Sequence, residues 1–219
     1  MNLKAVLQAQ AIWFLRPTGS YGYLPKTAAL LRDRFQFQGV PKEDELLNLD
    51  LSKAPLTFRH GSFETSGRMV VIDPLQIYPV GVLAGANTTT DDAEAFLKYL
   101  IEWASKTLQI EYQTLQEPGY TSQLEVQLSK SLDEYFPQMK TVCETATQFV
   151  PKFFKNKPIY EVAGITLSFD KLKIAPAPAN VRIERRENAP YEDNLYFSEG
   201  PFKTSDHVRL LETLENTLV

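Results

Sequence analysis

The chain has 219 residues, 43% of them hydrophobic, and a formal net charge of −4. This composition predicts a globular protein with a substantial core, and its acidic balance argues against general binding to nucleic acid or anionic membranes. The only cysteine, Cys143, excludes an internal disulfide and a multi-cysteine zinc site. No apolar run is long enough to span a bilayer, and the first residues lack a signal-peptide cleavage site, so we expect a cytoplasmic protein.

The first third of the chain is predicted to hold two strands and one helix. Residues 5–15 form an apolar run that favours a strand, and Pro25, a favoured first-turn residue, begins a helix that extends to residue 37. An acidic, irregular surface loop is expected over residues 41–55. Alternating side chains then favour a strand over residues 56–64.

The centre of the chain predicts a hairpin and a further strand. Residues 69–72 are a short apolar, β-branched run, typical of a strand buried on both faces. This strand is expected to pair with residues 56–64 across a turn at Thr65–Gly67. Asp73-Pro74 interrupts the pattern, because proline lacks a backbone donor and belongs at an edge, a bulge or a strand start. Residues 75–83 then resume the pattern.

The firmest element in the sequence is a helix that begins after three threonines, residues 88–90, and ends near Leu108. Each threonine is a possible N-cap, and the acidic residues that follow suit the positive end of a helix. Tyr99 and Trp103 flank its apolar stripe, where they are expected to rim the core; an exposed partner contact is the alternative. The stripe consists of Ala93, Phe96, Leu97, Leu100, Ile101, Ala104 and Leu108.

The C-terminal half predicts more strands and two helical segments. In the helical pattern of residues 132–154, Pro137 either kinks one helix or begins a second piece, and Cys143 lies on the apolar stripe as a structural thiol. A final helix is capped by Thr204 or Ser205. Its interior positions are Leu210, Leu211, Leu214 and Leu218. The predicted strands cover residues 123–128, 165–169, 181–186 and 194–197.

The predicted strands outnumber the helices and do not alternate with them regularly. This pattern predicts an α+β fold, with a mixed, mainly antiparallel sheet and three or four helices packed against it. The stiff connector at residues 175–178 is too short for an interdomain linker. Residues 1–219 are therefore expected to form a single domain.

Catalytic, cofactor and metal motifs are weak in this sequence. Lys26 and Thr27 follow two glycines, but Pro25 stands where a phosphate-binding loop needs glycine. Ser198, Asp206 and His207 are close in sequence, yet adjacent helical residues diverge by about 100° and no nucleophile elbow surrounds the serine. The only histidines, His60 and His207, have no second metal ligand at helical spacing. We therefore predict no catalytic residues, no metal site and no cofactor.

The most informative charged segment is the strand that ends at Arg185 and Arg186. Alternation places Arg182, Glu184 and Arg186 on one face, and Arg185 on the face of the apolar residues. The favoured interpretation is a solvated edge whose charges block further pairing. The alternative is an inward-pointing Arg185 that holds a carboxylate or a phosphate through its bidentate fork.

The predicted function is that of a non-catalytic assembly or interaction protein, a homo-oligomer or a subunit of a protein complex. The positive hint is a supply of loop aromatics of the kind enriched at interfaces: Tyr21, Tyr23, Tyr191, Tyr196, Phe197 and Phe202. The alternative is a protein that binds a nucleotide or another phosphate ligand, either as an enzyme or as a non-catalytic binder. Its candidate ligand-binding residues are Arg59, His60, Arg185 and Arg186. The expected partners are a second copy or another protein, without membrane or general nucleic-acid binding.

Overall fold

The computed structural model describes residues 1–18, 24–151, 158–173 and 177–216. The strands in these residues are β1 (Asn2–Trp13), β2 (Leu15–Pro17), β3 (Leu56–Phe58), β4 (Gly61–Thr65), β5 (Arg68–Tyr78), β6 (Gly81–Ala86), β7 (Tyr112–Thr114), β8 (Gly119–Gln127), β9 (Gly164–Leu167), β10 (Val181–Arg185) and β11 (Leu195–Gly200). The α-helices are α1 (Leu24–Phe35), α2 (Glu43–Leu47), α3 (Thr90–Leu108), α4 (Leu132–Tyr135), α5 (Lys140–Phe149) and α6 (Thr204–Asn216).

The contacts divide the chain into two compact units, each assembled from separate segments. The N-terminal unit contains Val6–Ser122 and Pro201–His207. The C-terminal unit contains Met1–Ala5, Gln123–Gly200 and the residues from Val208 onward. The single domain predicted for residues 1–219 stays a prediction, and each unit is described by itself.

The strands of the N-terminal unit pair in the order β3-β5-β6-β1, with β4 also on β5. The pairs β1–β6, β3–β5, β4–β5 and β5–β6 are antiparallel. β4 and β5 form the predicted hairpin, in which Thr65 pairs with Arg68. The two turn residues, Ser66 and Gly67, have φ of 51° and 74°. Positive φ at both positions is what a tight two-residue hairpin turn requires.

Two predictions for these strands are wrong, and one is confirmed. Residues 69–72 are not buried on both faces, because Val70 and Ile72 face the core while Met69 and Val71 are exposed. The interruption predicted at Asp73-Pro74 is present within β5 as a register irregularity between Ile72 and Leu75. The strand expected over residues 75–83 is interrupted instead at Val80, which lies exposed in the turn before β6.

Residues 56–64 form two strands rather than the predicted one. The break falls at His60, whose φ of 53° lies in the left-handed region. Leu56 and Phe58 are buried as alternation predicts, and Gly61 then begins β4. In the predicted loop over residues 41–55, the short helix α2 buries Leu46.

Helix α3 confirms the sequence prediction in its cap and its buried face. The Thr89 side chain accepts a hydrogen bond from the Asp92 amide at 3.2 Å. Trp103 and Tyr99 are partly buried and rim the core, as predicted, and both rings make edge or tilted contacts with Phe35 or Phe63. The fully buried apolar residues of the helix are Ala93, Phe96, Leu97, Leu100 and Ala104.

In the C-terminal unit β11, β10 and β9 follow β8 in the sheet, and both β10 pairings are antiparallel. Arg185 pairs with Tyr196 of β11, and Val181 pairs with Leu167 of β9. β10 is therefore an inner strand, so its charges do not protect an edge. The buried hydrophobic side chains of this unit are Leu124, Val126, Leu128, Leu132, Tyr135, Val181, Ile183, Tyr196 and Leu211.

The helical segment predicted over residues 132–154 consists of α4, a 3-10 turn at Pro137–Met139, and α5. Pro137 thus begins a second piece. Cys143 is only partly buried and α5 has no buried residue, so the prediction of a thiol within the core is wrong. Residues 152–157 and 174–176 lie outside the described residues, and the second of these ranges includes the first half of the predicted connector, residues 175–178.

The α+β class and the mainly antiparallel sheet are confirmed. The described residues form six α-helices, of which α2 and α4 have only five and four residues. No helix in this part of the chain has the length and apolar character needed to cross a membrane.

Candidate functional site

Arg185 lies at the end of β10 on the buried face of the C-terminal unit, and only 9% of it is exposed. Alternation predicted this face, but the favoured interpretation as a solvated edge charge is wrong. The backbone amide of Arg185 donates to the Ala163 carbonyl at 2.7 Å, and Nη1 donates to the Tyr191 carbonyl at 2.7 Å. These bonds anchor both the backbone and the outer end of the side chain.

Two tyrosine rings enclose the Arg185 guanidinium. Its central carbon lies 4.1 Å from the ring centroid of Tyr191 and 5.0 Å from that of Tyr196. Both distances are within the range of cation–π attraction. Tyr196 is held from its other end, because its hydroxyl accepts a hydrogen bond from the Leu132 amide at 3.1 Å.

The environment keeps Tyr196 in its neutral form. Burial raises the pKa of its phenol above the ordinary value, although the Leu132 amide and the charge of Arg185 oppose that rise. A neutral phenol offers its ring to the guanidinium but no compensating negative charge. Tyr196 therefore orients Arg185 without neutralising it.

Arg185 has no carboxylate partner among the residues that the structure describes, whereas both neighbouring arginines do. Arg182 pairs with Glu199, and Arg186 Nε lies 2.9 Å from Glu125 Oε2. The Nε atom of Arg185 is buried and has no hydrogen-bond partner in the described part of the chain. A buried, unpaired charge is costly and is usually compensated by an anion. This unpaired guanidinium is the strongest candidate for a binding group.

Two clefts, of about 560 and 590 Å³, are both lined by Arg185. Glu184, Arg186 and Glu187 line both of them as well. The first cleft also has the apolar residues Leu195 and Phe197 in its wall. The second is also lined by residues 163–166, at the start of β9, and by Tyr191.

The other predicted ligand-binding residues, Arg59 and His60, belong to the N-terminal unit. Arg59 Nη1 and His60 Nδ1 each lie 3.2 Å from a different carboxylate oxygen of Asp73. The side chains of Arg59 and His60 are both more than half exposed. Because Asp73 already faces both groups, this pair offers less free positive charge than Arg185 does.

The candidate triad of Ser198, Asp206 and His207 is not supported. His207 is fully buried, and its Nδ1 lies 2.7 Å from the Oγ of Ser122, which is also fully buried. Ser198 donates to the Arg182 carbonyl at 3.0 Å. Neither serine is exposed to solvent. In the described residues, no group of three metal-ligating side chains comes together.

The loop aromatics predicted as interface residues have different environments. Tyr196 is fully buried in the core, whereas Tyr191 is 51% exposed. Phe197 and Phe202 are partly buried, and Tyr21 and Tyr23 lie outside the described residues. Sequence reasoning missed the two tyrosines as partners of Arg185. The only feature of the sequence that could have indicated this contact is the position of the two tyrosines beside β10 and β11. Using it would have required the register of these strands.

Fold and site together define an α+β protein with a buried, unpaired arginine between two tyrosines. No protein-family model matches the chain, and no curated protein does. Among solved structures, the chain is similar to Methanococcus jannaschii TBP, at 11% identity and a TM-score of 0.43, over 98% of this chain and 97% of that one. A similarity at this level assigns no ligand to this chain.

The predicted partners are corrected: the comparisons give no support to a homo-oligomer or to a protein partner without general nucleic-acid binding. The acidic net charge is the sum over the whole chain, and such a sum does not report how charge is arranged at a local surface. The partner prediction is therefore withdrawn, and no other partner is assigned.

Proposed function

We propose that this protein is a non-catalytic binding protein whose ligand carries a carboxylate or phosphate group that pairs with Arg185. The observation that carries the proposal is the buried guanidinium without a carboxylate partner in the described residues. Free energy spent on burying such a charge is recovered when an anion completes the site. The groups that contact the guanidinium, one backbone carbonyl and two aromatic rings, are neutral.

The side chain is positioned for recognition. Nη1 is fixed by the Tyr191 carbonyl, and the rings of Tyr191 and Tyr196 cover the guanidinium. A guanidinium held in this way loses little rotational freedom when it binds, and its planar fork suits the two oxygens of a carboxylate or phosphate. Because Nε is buried, a ligand that uses this atom must first displace the side chains that cover it.

The surrounding charges favour a ligand with one anionic group over a polyphosphate. Glu184 and Glu187 line both clefts, and Glu125 lines the first. Like charges placed next to a ligand disfavour its binding, so each additional phosphate would meet repulsion. A phosphate or carboxylate ligand of low charge therefore fits this site better than a nucleoside triphosphate does.

The test is a titration of the full chain with acetate and with inorganic phosphate at constant ionic strength, followed by thermal unfolding and by amide NMR shifts. We expect a rise in Tm and shifts around Arg185, both absent from Arg185→Met. Arg209→Met removes an exposed arginine of α6 and serves as the control that retains both effects. Equal responses of Arg185→Met and the wild type would overturn the proposal. A response to one anion alone tells which group the site takes.

A further inference from the structure

We infer that the ligand of the Arg185 clefts is a small zwitterion, with a carboxylate for Arg185 and an ammonium group for Glu187, as in a free amino acid. This inference rests on the proposed function and narrows its ligand class. Its basis is that an unpaired positive group and an unpaired negative group line the same two clefts.

Glu187 is the second charged group of the clefts without a partner. It is exposed in the turn after β10, and it makes no ion pair with any residue in the described part of the chain. Glu125 is paired with Arg186, and Glu184 lies 3.9 Å from Arg182. Once these pairs are set aside, Arg185 and Glu187 remain as the two uncompensated charges.

Arg185 and Glu187 do not neutralise each other, although only Arg186 separates them in the chain. Arg185 ends β10 with its side chain on the buried face, whereas Glu187 lies in the turn that follows. The main chain thus holds the two charges apart at the same cleft. A ligand that carries an ammonium group and a carboxylate on one carbon can satisfy both charges, which a simple anion cannot.

The size and walls of the clefts agree with a small ligand. Volumes of about 560 and 590 Å³ lie within the range of small-molecule sites. Leu195 and Phe197 in one cleft, and Ile165 in the other, offer apolar surface for a short side chain. The charges fix the orientation of the ligand, and the apolar walls contact its side chain.

The experiment compares three probes that share one carbon skeleton. L-leucine carries both charges, isocaproate lacks the ammonium group, and L-leucinamide lacks the carboxylate. Affinities are measured by amide NMR titration of the wild-type chain and of Glu187→Gln. Glu192→Gln, which changes an exposed glutamate of the nearby 3-10 turn, is the matched control.

We expect leucine to bind more tightly than isocaproate, by up to about fivefold, the scale of one exposed ion pair. Leucinamide should bind more weakly than either. In Glu187→Gln the preference for leucine over isocaproate should disappear while isocaproate binding is unchanged, and Glu192→Gln should keep the preference.

Two outcomes overturn the inference in different ways. Isocaproate binding as tightly as leucine to the wild type, or an undiminished preference in Glu187→Gln, refutes the zwitterion and leaves the anion site intact. If leucine, isocaproate and phosphate all fail to shift the amides around Arg185, the proposed function fails and the inference fails with it.

Discussion

The Oγ of Ser122 and the Nδ1 of His207 lie 2.7 Å apart, and both residues are completely buried in the N-terminal unit. The ring of His207 also contacts Phe202 edge-on, with centroids 6.1 Å apart. A buried polar pair of this kind stabilises the fold only as long as both groups stay paired. It therefore ties the segment Pro201–His207 to the rest of that unit.

Replacing Ser122 with Ala should lower the free energy of unfolding by about 1–3 kcal/mol, because it removes a hydrogen-bond partner from a buried imidazole. Urea denaturation measures the change. Ser105→Ala, at an exposed position of α3, is the control and should change stability by no more than about 0.5 kcal/mol. Equal stability of the two variants would show that the Ser122 hydroxyl is dispensable.

The carboxylate of Asp92 gives the N-terminal unit a predictable dependence on pH. Partial burial opposes its ionisation, but threonine hydroxyls and the Arg68 guanidinium, with Nη2 at 2.6 Å, hold the pKa of Asp92 below its ordinary value. A lowered pKa contributes stability that is present above the unfolded-state pKa of about 3.9 and is lost as pH falls through the folded-state pKa.

Asp92→Asn should therefore destabilise the protein at pH 7, by about 1–3 kcal/mol. The difference in unfolding free energy between wild type and variant should shrink as the pH is lowered below about 4. Chemical denaturation of both proteins at several pH values measures it. A difference that stays constant between pH 7 and the acid limit would contradict the assigned role of the carboxylate.

The core position of Leu100 on α3 allows a direct test of the central helix. Leu100 is 3% exposed, and truncation of such a side chain leaves a cavity. Leu100→Ala should cost about 2–5 kcal/mol of unfolding free energy. Thr107→Ala, on the exposed face of the same helix, is the control. A Leu100→Ala variant that melts within a degree or two of the wild type would exclude this core assignment.

The sequence predicts those structural features whose physical causes lie within a short stretch of the chain. The cap at Thr89 and the stripe through Leu97 and Leu100 lie within one helix, and their prediction is confirmed. The exposure of Met69 and Val71 depends on what covers each face of the sheet, which no short window of sequence contains. Composition therefore identified a strand there but not its exposed face.

The candidate site shows the same limit. Alternation along β10 places Arg185 on the inner face, as the structure has it. Its burial, however, follows from the rings of Tyr191 and Tyr196 that enclose the guanidinium, and its contact with Tyr196 follows from the register with β11. Residues outside β10 decide both facts. The sequence therefore predicted the residue but not its environment.

Gly61 should not tolerate a side chain. A Cβ at this position would clash with the ring of Phe37, which is 3% exposed. Gly61→Ala should therefore cost about 1–3 kcal/mol through overpacking. The double-mutant cycle with Phe37→Ala is the control, because the same substitution should cost less once the ring is gone. An equal cost in both backgrounds, measured by urea denaturation, would place the strain elsewhere.

The Arg185→Met variant separates the free-energy cost of burying the charge from the role of that charge in binding an anion. The charge has no carboxylate partner in the described residues, and an apolar side chain of similar length can fill the space between Tyr191 and Tyr196. Arg185→Met should lose one hydrogen bond and the cation–π contacts but remove the desolvation cost, so its stability should stay within about 1 kcal/mol of the wild type or exceed it. Thermal and urea unfolding without added anion measure this difference. A loss of about 3–5 kcal/mol is the result expected when one partner of a buried ion pair is removed, and it would show that a carboxylate of this chain pairs with Arg185 in solution.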